Sequence, residues 1–133
     1  MVSKIFVNLP VKDLEKSRSF FGSLGFTFNP QFSDDTAACM VMSEAIYAML
    51  LTHPKAQQFT SKAIADAHRT TEVLIALSVD SKSEVQDLVD KAVKGGAKEP
   101  RPPQDYGFMF ARSFEDPDGH IWEVVWMDPT HVQ

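Results

Sequence analysis

The sequence predicts an α+β fold built from two copies of one βαβββ unit within a single domain, residues 1–133. Two segments with apolar residues at every second position are each followed by an amphipathic helix that ends at glycine. The two helices begin at corresponding stretches, VKDL at 11–14 and VDSK at 79–82. Two copies indicate an internal duplication rather than a solenoid, and the length suits one domain.

The first unit covers residues 4–52. Its first strand, 4–11, has an apolar face made of Ile5, Val7, Leu9 and Val11. Asp13 is placed to cap a helix that Gly25 ends. The short strands that follow are 26–32, 36–42 and 45–52.

An insertion at residues 53–70 separates the two units and lacks the alternation of a strand. Pro54 near its start and the spacing of Phe59, Ala63 and Ile64 predict a short helix.

The second unit covers residues 71–128 and repeats the pattern. A strand at 72–79 leads to a helix that Ser81 caps and a glycine pair at 95–96 ends. The D-P-D-G turn at 116–119 joins two further strands, 108–114 and 120–127. The second unit has room for a third strand after its helix.

Composition narrows the class of protein. The chain has 13 Lys and Arg against 18 Asp and Glu, for a net charge of -5. This gives no electrostatic reason to bind nucleic acid or an anionic membrane. No apolar run approaches the ~18 residues of a membrane span, and the first residues lack the apolar region of a signal peptide. Cys39, the one cysteine, indicates a reducing compartment, so we expect a soluble cytoplasmic protein.

Two motifs carry a resemblance to a known family. VKDL at 11–14 precedes Ser17, Phe20, Phe21, Leu24 and Gly25, and DPDGHIWE occupies 116–123. Tandem βαβββ units with these motifs resemble the vicinal oxygen chelate superfamily. That superfamily includes glyoxalase I, extradiol dioxygenases, fosfomycin-resistance enzymes and bleomycin-resistance proteins. The resemblance extends over the chain and to bacterial proteins labelled predicted lactoylglutathione lyase.

The resemblance implies sheets that curl around a small-molecule cavity and pair as a homodimer. The insertion, around residues 56–67, is a candidate shield for the cavity or the dimer contact. The family's enzymes hold one divalent metal with His, Gln or Glu on cavity-facing strands. Those positions fall here at Phe6, Ala48, Leu74 and Glu123. Only Glu123 can coordinate an ion, so we expect a degenerate metal site and no cofactor unless a divalent metal binds.

Asn8 and Glu72 are predicted to project from the same strand faces as Phe6 and Leu74. With Glu123 they could hold a hard ion such as Mg²⁺ or Mn²⁺, or they could bind a ligand directly. Asn8 would need hydrogen-bond partners if buried in a strand. Arg112 lies among aromatic residues that suit an anionic or planar ligand.

The candidate residues therefore fall into three sets. The catalytic candidates are Glu123 and Glu72. The ligand-binding candidates are Phe6, Asn8, Leu74 and Arg112. The metal candidate is Glu123, only if a metal is bound.

Each charged candidate also has a structural interpretation. Glu123 could be a solvated carboxylate and Glu72 an exposed residue at the start of its strand. Arg112 could form an ion pair with a nearby carboxylate such as Glu115 or Asp116.

The remaining reactive side chains are expected to be structural. The four histidines, His53, His68, His120 and His131, are predicted to lie at the surface. Cys39 is predicted to be a buried apolar residue. Trp122 and Trp126 should lie on the strand face opposite Glu123 and belong to the core.

Three functions remain open. One is a glyoxalase-like lyase, in which a metal polarises the substrate and Glu123 or Glu72 moves a proton. Another is a metal-free binding protein of the bleomycin-resistance type, with affinity from an apolar cavity. The third is an enzyme that uses polar residues without a metal.

Overall fold

A computed structural model describes residues 1–131. The chain divides into two compact units, Met1–Ala65 and the described residues from Asp66 onward. Each unit contains one four-stranded sheet. None of the helices among the described residues is long and apolar enough to cross a membrane.

The first unit is ordered as the sequence predicts. Its elements are β1 (Ile5–Val11), α1 (Leu14–Ser23), β2 (Thr27–Asn29), β3 (Ala37–Val41), β4 (Ile46–Thr52) and the short helix α2 (His53–Ala56). The strands lie in the order β1-β4-β3-β2. β1 and β4 are parallel, and the other pairs are antiparallel.

The second unit has the same connectivity, which confirms the duplicated βαβββ pattern. Its elements are β5 (Leu74–Ser78), α3 (Lys82–Lys94), β6 (Gln104–Asp105), β7 (Met109–Glu115) and β8 (Ile121–Met127). The strands lie in the order β5-β8-β7-β6. The third strand for which the sequence left room is β6.

Both long helices begin at the predicted caps. The Asp13 side chain accepts a hydrogen bond from the backbone N–H of Lys16 at 3.1 Å. The Ser81 hydroxyl accepts one from Glu84 at 3.2 Å. These bonds satisfy backbone donors that have no partner inside the helix.

The insertion differs from its prediction, because its helix is limited to His53–Ala56. The side-chain amide of Gln57 donates to the carbonyls of Thr60 and Lys62, which favours a turn over further helix. Phe59 is 70% exposed, so it does not form the predicted apolar side with Ile64.

The insertion nevertheless packs on the first sheet. Ala56 and Ile64 contact a small cluster that contains Ala37, Leu51 and Met49. These three residues share a sheet face with Phe6 and Asn8, according to the strand register. The insertion thus covers part of that face within the first unit.

The second predicted strand is shorter than expected. β2 stops at Asn29, whose side chain accepts a hydrogen bond from the Gln31 N–H at 2.9 Å. Residues Pro30–Phe32 form a single 3-10 turn instead of continuing the strand. Proline at the start of this turn lacks the N–H that a strand ladder would use.

Candidate functional site

The two faces of the second sheet have different surroundings. Ser113 on β7 and Ala76 on β5 lie directly beside Glu123 on β8, so the three share one face. α3 packs on the other face, where Arg112 reaches Gln86 and Asp90 of this helix. We call the face away from α3 the open face of the second sheet. Its strand residues are Leu74, Ala76, Ser78, Gln104, Met109, Ala111, Ser113, Glu115, Ile121, Glu123, Val125 and Met127.

Two neighbouring polar groups on the open face have no partner in the described part of the chain. Glu123 takes part in no hydrogen bond or ion pair there. The Ser113 hydroxyl is buried, with the residue 3% exposed, and it too has no hydrogen-bond partner among residues 1–131. Because a buried hydroxyl normally has a partner, this pair is the polar feature of the sheet that most needs an explanation.

The rest of the open face is largely apolar. Leu74 is 67% exposed and Met127 is 41% exposed, while Ile121 and Val125 are partly exposed. Exposed aliphatic side chains on one sheet face favour covering by another apolar group.

The prediction for the tryptophans is confirmed for the strand face of both residues and for the burial of Trp122, whereas Trp126 is only partly buried. Trp122 and Trp126 alternate with Glu123 and so lie on the face toward α3. Trp122 is fully buried, and its indole Nε1–H donates to Asp116 Oδ2 at 2.9 Å.

Glu72 is bound within the protein rather than on the open face. It precedes β5, and its Oε1 atom lies 2.8 Å from Nδ1 of His120. The structure therefore does not bring Glu72 and Glu123 together on the strands as predicted.

The expectation that His120 lies at the surface is wrong, since it is 2% exposed. Its backbone N–H donates to Asp116 Oδ1 at 3.0 Å, and its ring is held by Glu72. Burial raises the pKa of Asp116, and the neighbouring His120 partly offsets this increase. This polar cluster anchors the D-P-D-G turn to the segment before β5.

Gly119 in that turn is required by its surroundings. Its φ of 86° lies in the left-handed region. A Cβ atom there would lie 2.7 Å from the backbone nitrogen of His68 and 2.8 Å from the carbonyl carbon of Ala67. Only glycine lets these two backbone segments approach so closely.

Arg112 is held by carboxylates on the α3 side of the sheet. Its Nε and Nη2 atoms donate to the two oxygens of Glu99 at 2.9 and 3.0 Å, a bidentate arrangement. Nη1 donates to Asp90 at 2.8 Å and to Gln86 at 2.6 Å. The bond to Glu99 is the largest cause that raises the pKa of Arg112 above its ordinary value.

These contacts replace the ion-pair partners expected for Arg112. The interpretation of Arg112 as an ion-paired residue is confirmed, but the partners named for it are wrong. β7 directs Glu115 toward the opposite face, and Asp116 instead accepts hydrogen bonds from His120 and Trp122. Arg112 also lies on the face opposite Glu123, so its predicted role in ligand binding receives no support from proximity to that carboxylate.

In the first sheet, Phe6 and Asn8 share a face with Tyr47 and Met49. The rings of Phe6 and Tyr47 are stacked, with centroids 4.7 Å apart and an interplanar angle of 11°. Asn8 is exposed, so it does not have the need for internal hydrogen-bond partners that a buried strand asparagine would have.

One assigned position is also wrong. Ala48 is fully buried on the face opposite Phe6. Met49 pairs with Asn8, two residues after Phe6, just as Glu123 pairs with Ala76, two residues after Leu74. Met49 is therefore the counterpart of Glu123, and the first unit still lacks an ion-binding side chain there.

The donor sets in each unit do not suit a divalent metal. Among residues 1–131, no three His, Cys, Asp or Glu side chains are grouped so that they could hold an ion. Glu123 stands beside Ala76 and Ser113, and Glu72 is bonded to His120. A hard cation needs several oxygen donors at close range, which neither unit supplies around these carboxylates.

Ser113 is the site residue that sequence reasoning missed. Counting outward from the D-P-D-G turn places it opposite Glu123, which was the available signal. Cys39, in contrast, is buried as predicted, and burial raises the pKa of its thiol.

Comparisons with known proteins agree with this fold. The chain is similar to the hypothetical protein SA1046 from S. aureus, at 28% identity over 95% of both chains and a TM-score of 0.79. The fosfomycin resistance protein FosX from Mesorhizobium loti is 16% identical, with 98% of both chains covered and a TM-score of 0.69.

A bleomycin resistance determinant encoded on the transposon Tn5 is also similar in structure. It is 17% identical, with 94% of this chain and 98% of that chain covered and a TM-score of 0.66. No curated protein sequence matches the chain significantly. The sequence model of the glyoxalase/bleomycin resistance protein/dioxygenase superfamily matches residues 5–124. The chain therefore belongs to this superfamily, also known as the vicinal oxygen chelate superfamily.

Proposed function

We propose that this protein binds a small organic molecule on the open face of its second sheet, without a metal-centred reaction. The observation that carries the proposal is the neighbouring pair of Glu123 and the buried Ser113 hydroxyl, neither of which has a partner among the described residues. A polar pair of this kind within an apolar surface is typical of a ligand site, where a few polar atoms fix the orientation.

The apolar side chains of the open face supply the affinity. Leu74 and Met127 expose large parts of their surfaces, and full burial of such a side chain contributes about 1.5–3 kcal/mol. The first sheet is less suited, because the insertion already packs against Met49 and Leu51. Phe6 and Asn8 remain exposed there and are secondary candidates for ligand contact.

The names of two structural neighbours support this class of function. They refer to resistance to bleomycin and to fosfomycin, which are both small molecules. These neighbours are less than 20% identical to this chain, so the proposal depends on the residues of the open face.

A thermal-shift screen of a small-molecule library, run with EDTA, tests the proposal. We expect stabilising compounds whose effect is reduced in Glu123→Gln and Leu74→Ala but not in the control Glu44→Gln, which alters an exposed turn of the first unit. A screen with no stabilising compound, or hits that all three variants retain, would contradict the proposed site.

A glyoxalase-like lyase reaction is the second candidate function. Glu123 is favoured as its proton-transferring group because it has no partner among the described residues, whereas Glu72 is bonded to His120. We expect no glyoxalase activity above background, with or without added Mg²⁺ or Mn²⁺. Metal-dependent turnover that Glu123→Gln abolishes would replace the binding proposal with the enzymatic one.

A further inference from the structure

The inference begins from the unsatisfied Ser113 hydroxyl. Ser113 and Glu123 are directly opposite on antiparallel strands, so their Cβ atoms are ~4.5–5.5 Å apart. A rotation of the Glu123 side chain can therefore bring one carboxylate oxygen to the Ser113 Oγ atom. The hydroxyl would then donate to the carboxylate and fix its orientation, while the other oxygen accepts from a ligand.

The charges on the open face indicate what that ligand carries. β5, β7 and β8 place two carboxylates on this face, Glu115 and Glu123, and no Lys or Arg. Lys98 lies beside Glu115 through a backbone bridge, in which the Glu115 N–H donates to the Lys98 carbonyl at 2.8 Å. No described cation pairs with Glu123, so a cationic group would neutralise it on binding.

We infer that Glu123 binds an organic cation with N–H donors, such as an amidinium or a primary ammonium on an apolar body, and that Ser113 is the positioning residue for Glu123. This inference rests on the proposed function and specifies its ligand class. The N–H group of the ligand donates to Glu123, and its apolar body covers the aliphatic side chains beside it.

Three isosteric probes test the charge preference: benzamidine, benzamide and benzoate. Titration of the full chain, followed by amide chemical shifts of β7 and β8, should show binding of benzamidine. We expect benzamide to bind at least tenfold more weakly and benzoate to cause no shift. Glu123→Gln should remove the difference between benzamidine and benzamide.

Ser113 is tested by a double-mutant cycle. Ser113→Ala should weaken benzamidine binding by about tenfold or more, as expected for loss of a hydrogen bond to a charged group, and Ser113→Thr should restore it. In the Glu123→Gln background, Ser113→Ala should have no further effect, because the two residues act together. The melting temperature without ligand should not fall in Ser113→Ala, because its hydroxyl has no partner to lose among the described residues.

Several outcomes would overturn the inference. Benzoate binding as tightly as benzamidine, or benzamidine binding unchanged by Glu123→Gln, would reject the cationic ligand. Additive effects of the two substitutions would reject the positioning role of Ser113. No binding of any probe would also reject the ligand class, while hits of other chemistry in the library screen would leave the proposed function intact.

Discussion

Replacing Gly119 with alanine should destabilise the protein more than its backbone conformation alone explains. At a φ of 86°, a non-glycine residue costs roughly 1–2 kcal/mol. The new Cβ atom would also lie 2.7 Å from the backbone nitrogen of His68. Relieving such an overlap by shifting packed backbone costs typically ~1–3 kcal/mol more. We therefore expect Gly119→Ala to lower the free energy of unfolding by about 3 kcal/mol.

Gly107→Ala is the matched control. Its φ of 80° is similar, but a Cβ atom there would have no neighbour within 4 Å. We expect a loss of only about 1 kcal/mol, the conformational part of the cost. Urea denaturation at 25 °C measures both losses. Since unfolding a chain of this size changes the entropy by ~0.3 kcal/mol per kelvin, the melting temperatures should fall by about 10 °C and about 4 °C. Equal losses in the two variants would refute the reasoning that close packing, rather than φ, requires Gly119.

Two further predictions depend on the described contacts, and a third depends on the family resemblance. Arg112→Lys should lose the bidentate bond to Glu99. We expect urea denaturation to show a loss of about 1–2 kcal/mol in the free energy of unfolding, with ligand binding unchanged. A binding defect at unchanged stability would contradict the structural role of Arg112. Folding raises the pKa of Asp116 above 3.8, so the native state binds a proton on this carboxyl more readily than the unfolded state does. Acidification through the raised pKa toward 3.8 should therefore increase the free energy of unfolding of the wild type relative to that of Asp116→Asn. A stability difference between the two proteins that is constant from pH 7 to 4 would refute this. We expect the homodimer that the family resemblance implies, so light scattering should give twice the chain mass of 14.9 kDa; a monomer mass at all concentrations would reject it.

The sequence was most informative where local chemistry decides the structure. Asp13 and Ser81 cap their helices as predicted, because capping depends on residues only three positions apart. The alternation around Glu123 placed Trp122 on the opposite face for a similar reason, since every strand alternates its side chains.

The errors arose where the outcome depends on distant residues. His120 is buried because Glu72, far away in the sequence, binds its ring. Ala48 was assigned to the wrong face because the register of β4 against β1 is set by pairing across the whole unit. Ser113 was overlooked because a missing partner is visible only after all neighbours are placed.

The parallel pairing within each unit has a consequence for how the chain folds. Ile5 pairs with Ile46, and Leu74 pairs with Ile121. The first strand of each unit therefore cannot pair until the last strand of that unit has been synthesised. Loop closure over such separations is slower than formation of the hairpin that β3 and β4 make. We expect β1 and β5 amides to gain protection last in pulsed hydrogen exchange, and protection of these strands before the hairpins would contradict this order. A nascent chain that stalls before β4 would hold β1 with an unpaired edge, the state in which strands of different molecules associate.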